Sequence, residues 1–180
     1  ILHTHTRSAE SVKAFVQISR YPYQEIGRDI IGEGLRGAGG QKKPAELWGL
    51  DGSEYTDVAD PWPLNPKGEL ILGLKIEDRH CVANADDIAK VPGIAFAEWG
   101  PGDMSMSYNV SRQGGQEPQV LADARARVFA ATKKAGIPFL NQMNAQNIEQ
   151  MIDEGVRIGS GAGAEVADRG RQYTERRMPW

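Results

Sequence analysis

The sequence predicts an α/β fold built on a parallel sheet, and three observations lead there. Short β-branched or apolar runs alternate with amphipathic helical segments along the chain. One such run, Glu69 to Glu77, is apolar nearly throughout, as befits a strand covered on both faces. Glycine, proline or a capping residue marks most of the boundaries. With 180 residues, 40% hydrophobic and 25% charged, the chain has the composition of one globular domain, taken as residues 1–180.

The elements follow in order. Ile1 to Thr6 reads as a strand. Ser8 caps a helix from Ala9 to Ser19, with Val12, Phe15 and Val16 at helical spacing, and Tyr21-Pro22 ends it. Residues 27–66 read as a long irregular insertion, glycine-rich at first and then rich in proline and tryptophan, with a short helix near Ser53 to Ala59. Glu69 to Glu77 is the second strand, Asn84 to Lys90 a short helix and Ile94 to Trp99 the third strand. Gln119 to Ala135 is the clearest helix, closed by Gly136. Ile137 to Gln142 is the fourth strand. Asn144 caps a helix running to Glu154, Gly155 to Gly159 is the fifth strand, and Ala164 to Arg177 the last helix. Strands alternating with helices form either a doubly wound sheet or part of a (β/α)8 barrel, and length does not separate the two.

Charge and composition narrow the function classes. The net charge is −3, and basic residues cluster only briefly, at Arg169, Arg171, Arg176 and Arg177. Neither a nucleic-acid partner nor an anionic membrane surface is expected. No apolar run approaches the roughly 18 to 20 residues that span a bilayer. The single cysteine, Cys81, rules out an internal disulfide framework and a CxxC metal site, and fits a reducing, cytoplasmic setting. Because the chain opens at Ile1 directly on a strand, further residues are expected upstream.

Two carboxylates stand where parallel α/β folds place their chemistry. Glu77 ends one strand, and Asp103 follows the next, in the turn Gly100-Pro101-Gly102-Asp103. Hard oxygen ligands without cysteine or histidine suit Mg²⁺ or Mn²⁺. The alternative is that both are solvated loop residues or helix caps. Glycines around a proline also let backbone N–H groups approach an anion such as a substrate carboxylate.

Other residues carry weaker signals. His3 and His5 in HxH spacing would share one strand face, a pattern used for zinc. We favour a lone His5 near a substrate, and expect His80 exposed after Glu77. Ser160-Gly161-Ala162-Gly163 suggests a phosphate loop, but the full GxGxxG is absent and the expected reading is a barrel loop.

Taken together, Leu74-Lys75-Ile76-Glu77-Asp78, Asn84-Ala85-Asp86-Asp87-Ile88, Val91-Pro92-Gly93-Ile94 and Gly100-Pro101-Gly102-Asp103-Met104-Ser105 resemble the HpcH/HpaI aldolase/citrate lyase family. Ala9-Glu10 and Arg20-Tyr21-Pro22 resemble its upstream motifs. The resemblance implies a (β/α)8 TIM barrel of the phosphoenolpyruvate/pyruvate type, with only strands four to eight present. It implies a class II aldolase, a carbon–carbon lyase that interconverts a 4-hydroxy-2-oxo acid with pyruvate and an aldehyde. It also implies a Mg²⁺, Mn²⁺ or Co²⁺ cofactor bound by Glu77 and Asp103, and a pyruvate carboxylate held by Gly102 and Asp103 beside Gly100. Homo-oligomers, trimers or hexamers, are implied too. A CoA-ester lyase of the citrate lyase beta type is the alternative, as is an inactive or assembly fragment.

Several positions depart from the family pattern. Lys75 stands where the aldolases usually have Gln. It shares a strand face with Glu77, so it either binds a substrate anion or pairs with Glu77. Glu98 is acidic where the family is apolar, and its role is open. The acid–base histidine and substrate arginine of the family have no counterpart in these residues. The catalytic groups are therefore unassigned, with His5 as a candidate.

Overall fold

A computed structural model describes residues 1–111, 117–161 and 163–176. In chain order the elements are β1 (Leu2–His3), α1 (Ala9–Ile18), α2 (Arg28–Ile31), α3 (Lys42–Trp48), α4 (Gly52–Val58), β2 (Pro61–Trp62), β3 (Leu70–Ile71) and β4 (Gly73–Ile76). They continue with α5 (Arg79–Ala83), α6 (Ala85–Ala89), β5 (Phe96–Trp99), α7 (Pro101–Ser107), α8 (Gln119–Ala135), β6 (Phe139–Gln142), α9 (Ile148–Glu154), β7 (Val156–Ser160) and α10 (Ala164–Tyr173).

The main sheet has five strands in the order β1-β4-β5-β6-β7, every pair parallel. The order never reverses. A doubly wound sheet reverses at its switch point, whereas a barrel adds each strand beside the last. The architecture is thus a run of consecutive barrel strands with their helices outside. Two apolar clusters fill the space between sheet and helices. One joins Ile76, Ala97, Trp99 and Phe139 to Met104, Leu121 and Val128; the other joins Val12, Phe15 and Val16 of α1 to Leu72, Leu74 and Ile88.

Helix boundaries follow local chemistry. Ser8 Oγ accepts the Ser11 N–H at 3.2 Å and starts α1. Gly136, at φ +74°, takes the left-handed conformation that closes α8. Asn144, expected to cap this helix, instead accepts the Gln146 and Asn147 N–H groups in the preceding turn, and α9 begins one turn later with Asn147 at its N-cap.

Four expectations need correction. The first strand is short: Thr6 Oγ1 donates back to the His3 carbonyl at 3.1 Å, and His5 adopts φ +48°, which ends the extended run. The run Glu69 to Glu77 is two strands broken at Leu72, with β3 pairing β2 in a small second sheet and β4 entering the barrel. Residues 27–66 hold three short helices and β2 rather than irregular chain. In α4, Asp51 accepts the Ser53 and Glu54 N–H groups while Glu54 accepts the Asp51 N–H, a reciprocal cap that holds a helix of only seven residues. Finally, the last helix ends at Tyr173; Ala162 and Arg177 lie outside the described residues.

The segment 27–66 is tied to the barrel by a buried ion pair. Arg20, just after α1, and Asp60, just before β2, are both fully buried. Arg20 Nε donates to Asp60 Oδ1 at 2.6 Å and Nη2 to Oδ2 at 3.0 Å, while Asn65 Nδ2 adds a third hydrogen bond to Oδ2 at 3.1 Å. Arg20 Nη2 also donates to the Ile26 carbonyl at 2.7 Å.

Candidate active site

The carboxyl ends of β4 and β5 carry the candidate residues. Glu77 follows β4 directly and is 2% exposed. Its Oε1 accepts the His5 backbone N–H at 3.2 Å. Lys75 Nζ lies 3.5 Å from Glu77 Oε2 and 4.0 Å from Glu98 Oε1. Strand geometry explains the cluster. Residues i and i+2 share a strand face, so Lys75 turns to the side of Glu77, and the register of β4 on β5 sets Lys75 opposite Glu98. The pairing with Glu77, one of the two readings for Lys75, is present in this arrangement. Glu98, which the sequence leaves without a role, is its second partner.

Beyond β5, Gly100 is the N-cap of α7, with Pro101 at its first position and Asp103 in its first turn. The ladder of this helix begins with the Met104 N–H donating to the Gly100 carbonyl. The earlier amides, those of Gly102 and Asp103, have no intrahelical partner by construction of any helix. Asp103 and Gly102 are exposed. A Cβ on Gly102 meets nothing within 4 Å, so this glycine is not required by packing.

Gly100 is different. A Cβ there would stand 2.5 Å from Glu77 Cβ, 2.8 Å from Glu77 Oε2 and 3.2 Å from Lys75 Cε. The backbone of the turn lies directly on the Glu77 carboxylate, which leaves no room for a side chain. Gly100→Ala is therefore expected to displace Glu77, and if Glu77 holds a divalent cation, to weaken Mn²⁺ binding by about tenfold or more, the scale of a 1.4 kcal/mol loss, while Gly102→Ala leaves it unchanged. Titration of each variant with Mn²⁺ checks both.

Asp78 supports the site from behind. Its carboxylate accepts the His80 and Cys81 N–H groups at 2.8 and 2.9 Å, capping α5, and the Arg7 Nε–H at 2.7 Å. Burial by itself would raise its pKa; the Arg7 hydrogen bond and the two amides outweigh burial and hold the carboxyl at about 2, against an ordinary 3.8. A depressed carboxyl stabilises the fold above its unfolded pKa, and that contribution fades as pH falls from about 4 towards 2. Asp78→Asn is expected to lower the melting temperature at pH 6 and to converge on the wild type near pH 2, read by thermal unfolding across that range. Beside it, burial pushes the Cys81 thiol up to about 11, so it stays protonated at neutral pH.

The histidines separate. His3 stacks on Phe15 with ring centroids 5.0 Å apart and shares a 2.7 Å hydrogen bond with the Thr6 hydroxyl, so it belongs to the α1 packing. His5 leaves the strand at its positive φ, and HxH does not present a pair on one face. The His5 ring is 53% exposed, with Nε2 3.7 Å from Glu77 Oε1 and Nδ1 3.6 Å from Asp78 Oδ2. His80 is exposed, as expected. Among the described residues no cluster of three or more His, Cys, Asp and Glu side chains forms a ready metal cage.

The HpcH/HpaI aldolase/citrate lyase family model matches residues 3–165. The chain belongs to this family. Hydroxypyruvate/pyruvate aldolase of Deinococcus radiodurans is 31% identical to this member over 130 residues, 71% of this chain and 41% of that protein. The chain thus spans less than half the length of this curated relative. Among solved structures, macrophomate synthase superposes with a TM-score of 0.67 at 20% identity, covering 97% of this chain and 56% of its own. An HpcH/HpaI aldolase/citrate lyase family protein from Burkholderia cenocepacia J2315 superposes at 0.70 and 20% identity, covering 97% and 63%. These likenesses establish the fold. No helix among the described residues of this family member is long and apolar enough to cross a membrane.

Proposed function

We propose that this family member supplies the metal-binding part of a divalent-metal-dependent carbon–carbon lyase. The reaction is aldol cleavage or condensation, a 4-hydroxy-2-oxo acid on one side and pyruvate plus an aldehyde on the other. The observation that carries the reading is the buried Glu77 carboxylate at the end of β4, with the Gly100 turn packed on it and Asp103 in the next turn, after the neighbouring strand. Two hard carboxylate oxygens fit Mg²⁺, Mn²⁺ or Co²⁺ rather than a soft metal. The 31% identical hydroxypyruvate/pyruvate aldolase supports the same class of substrate.

In this reading each group has one task. Glu77 and Asp103 would hold the cation. The amides of Gly102 and Asp103, beside Gly100, receive the substrate carboxylate. In cleavage a base takes the C4 hydroxyl proton, the C3–C4 bond breaks to release the aldehyde, and its electron pair moves onto the pyruvyl oxygen as an enolate. Protonation at C3 then yields pyruvate. A divalent cation bound here supplies positive charge where that oxygen becomes negative. His5, next to Glu77 and half in solvent, is a candidate to exchange a proton with substrate or water. Trimeric or hexameric assembly belongs to the same proposal and is read by light scattering.

The test is pyruvate release from a 4-hydroxy-2-oxo acid with Mn²⁺ or Co²⁺ added, alongside Glu77→Ala and Asp103→Ala. Release that needs metal and fails in both variants supports the reading. Metal-independent release, or release that survives both substitutions, overturns it.

A further inference from the structure

We infer that Lys75 is a built-in competitor for the cation at Glu77, and that Glu98 is the position to which its ammonium withdraws when a divalent ion binds. The inference rests on the metal reading of Glu77 and Asp103, and concerns what this chain adds to it.

The geometry is specific. Lys75 Nζ lies 3.5 Å from Glu77 Oε2, the same oxygen over which the Gly100 turn is packed, and Lys75 Cε would lie 3.2 Å from a Cβ on Gly100. Glu77 has its other oxygen occupied by the His5 amide. The ammonium therefore sits against the carboxylate oxygen that does not receive this amide. Two cations at one oxygen repel strongly at such a distance in a poorly solvated site, so a divalent ion at Oε2 and the ammonium exclude one another.

Lys75 is not trapped there. Glu98 Oε1 is 4.0 Å from the same nitrogen and directly across the β4–β5 register. Glu98 and Lys75 are 24% and 28% exposed at their side chains, against 2% for Glu77. The move from one carboxylate to the other therefore needs only rotation of a flexible four-carbon stem. A carboxylate at position 98 lowers the cost of leaving Glu77, because the ammonium exchanges one ion pair for another. The two charged residues act as a set: Lys75 weakens the resting affinity for metal, and Glu98 restores part of it.

Opposite signs follow for two single variants. In calorimetric titration with MnCl₂ and no substrate, Lys75→Gln is expected to bind Mn²⁺ about tenfold tighter than wild type, the effect of a 1.4 kcal/mol change. Glu98→Gln is expected to bind it severalfold more weakly. In the Lys75→Gln background, Glu98→Gln is expected to have a clearly smaller effect, the through-space pull of its charge alone, since the ammonium it serves is gone. Equal affinity in wild type and Lys75→Gln, with binding lost in Glu77→Gln, overturns the inference and leaves the metal reading standing. Equal weakening by Glu98→Gln in both backgrounds also overturns it, because Glu98 would then act on the cation without Lys75. Mn²⁺ binding that persists in Glu77→Gln overturns the metal reading itself, and the inference with it. Circular dichroism of each variant confirms that the fold is retained.

Discussion

If Glu77 holds a divalent cation as proposed, Glu77→Gln is expected to reduce the proposed pyruvate release by about 10²–10³-fold, the loss seen when one preorganised stabiliser of developing charge is removed. The substitution keeps the volume of the side chain and can still accept the His5 amide hydrogen bond with its carbonyl oxygen. It removes the negative charge that a divalent cation requires. A loss in the rate of the chemical step, together with weaker Mn²⁺ binding and an unchanged melting temperature, separates a metal role from a structural one. Asp103→Asn is expected to act in the same direction. It stands in solvent at the start of α7, with no packing role to lose, so its effect should be confined to binding and rate. Steady-state kinetics against Mn²⁺ concentration is the measurement.

Asp60→Ala is expected to cost about 3–5 kcal/mol of stability, the penalty for leaving a buried charge without its partner. Arg20 is fully buried, and the two hydrogen bonds to Asp60, at 2.6 and 3.0 Å, are what make its charge tolerable there. Asn65 loses an acceptor in the same change. Against the total of roughly 5–15 kcal/mol typical of a domain, this is a large single-site effect. The double replacement Arg20→Met with Asp60→Leu should recover much of the loss, because it removes both charges from the interior. Urea unfolding midpoints for the two singles and the double supply the cycle. A cost for Asp60→Ala below about 1 kcal/mol, the value of an exposed pair, would show that the pair is not dry.

The two effects act on different parts of the chain for a physical reason. The Arg20–Asp60 pair joins the end of α1 to the entrance of β2, and so holds residues 27–66 against the barrel. Loss of it acts on the fold as a whole. Glu77 is held by its neighbours along and across the sheet, and a change of its charge acts on what it binds.

Much of this was legible in the sequence because the signals are local. The helix from Gln119 to Ala135 has its period, its apolar face and its terminal glycine within its own residues, and the structure has the same bounds. The Ser8 cap and the order of strands and helices were legible for the same reason, and that order is enough for a parallel α/β fold. Glu77 and Asp103 could be singled out because a strand end and a Gly-Pro-Gly turn are both local marks, and the strings around them place the chain in its family.

What lay beyond reach depends on register, closure and distance along the chain. Lys75 and Glu98 meet only because β4 and β5 pair in one register, which no window of sequence contains. Arg20 and Asp60 are 40 residues apart and find each other through burial. The break at Leu72 arises because the two halves of one apolar run serve different sheets. The HxH pair dissolves because His5 turns away at a positive φ to bring its amide to Glu77. By itself the sequence determined the class of fold and the family and marked two candidate carboxylates, since each of these signals is written in neighbouring residues. The tertiary structure alone decided what surrounds those carboxylates: a glycine that must be bare, an ammonium already on the oxygen, and a second carboxylate within its reach. Those are contacts across space, and their energies exist only once the strands are side by side.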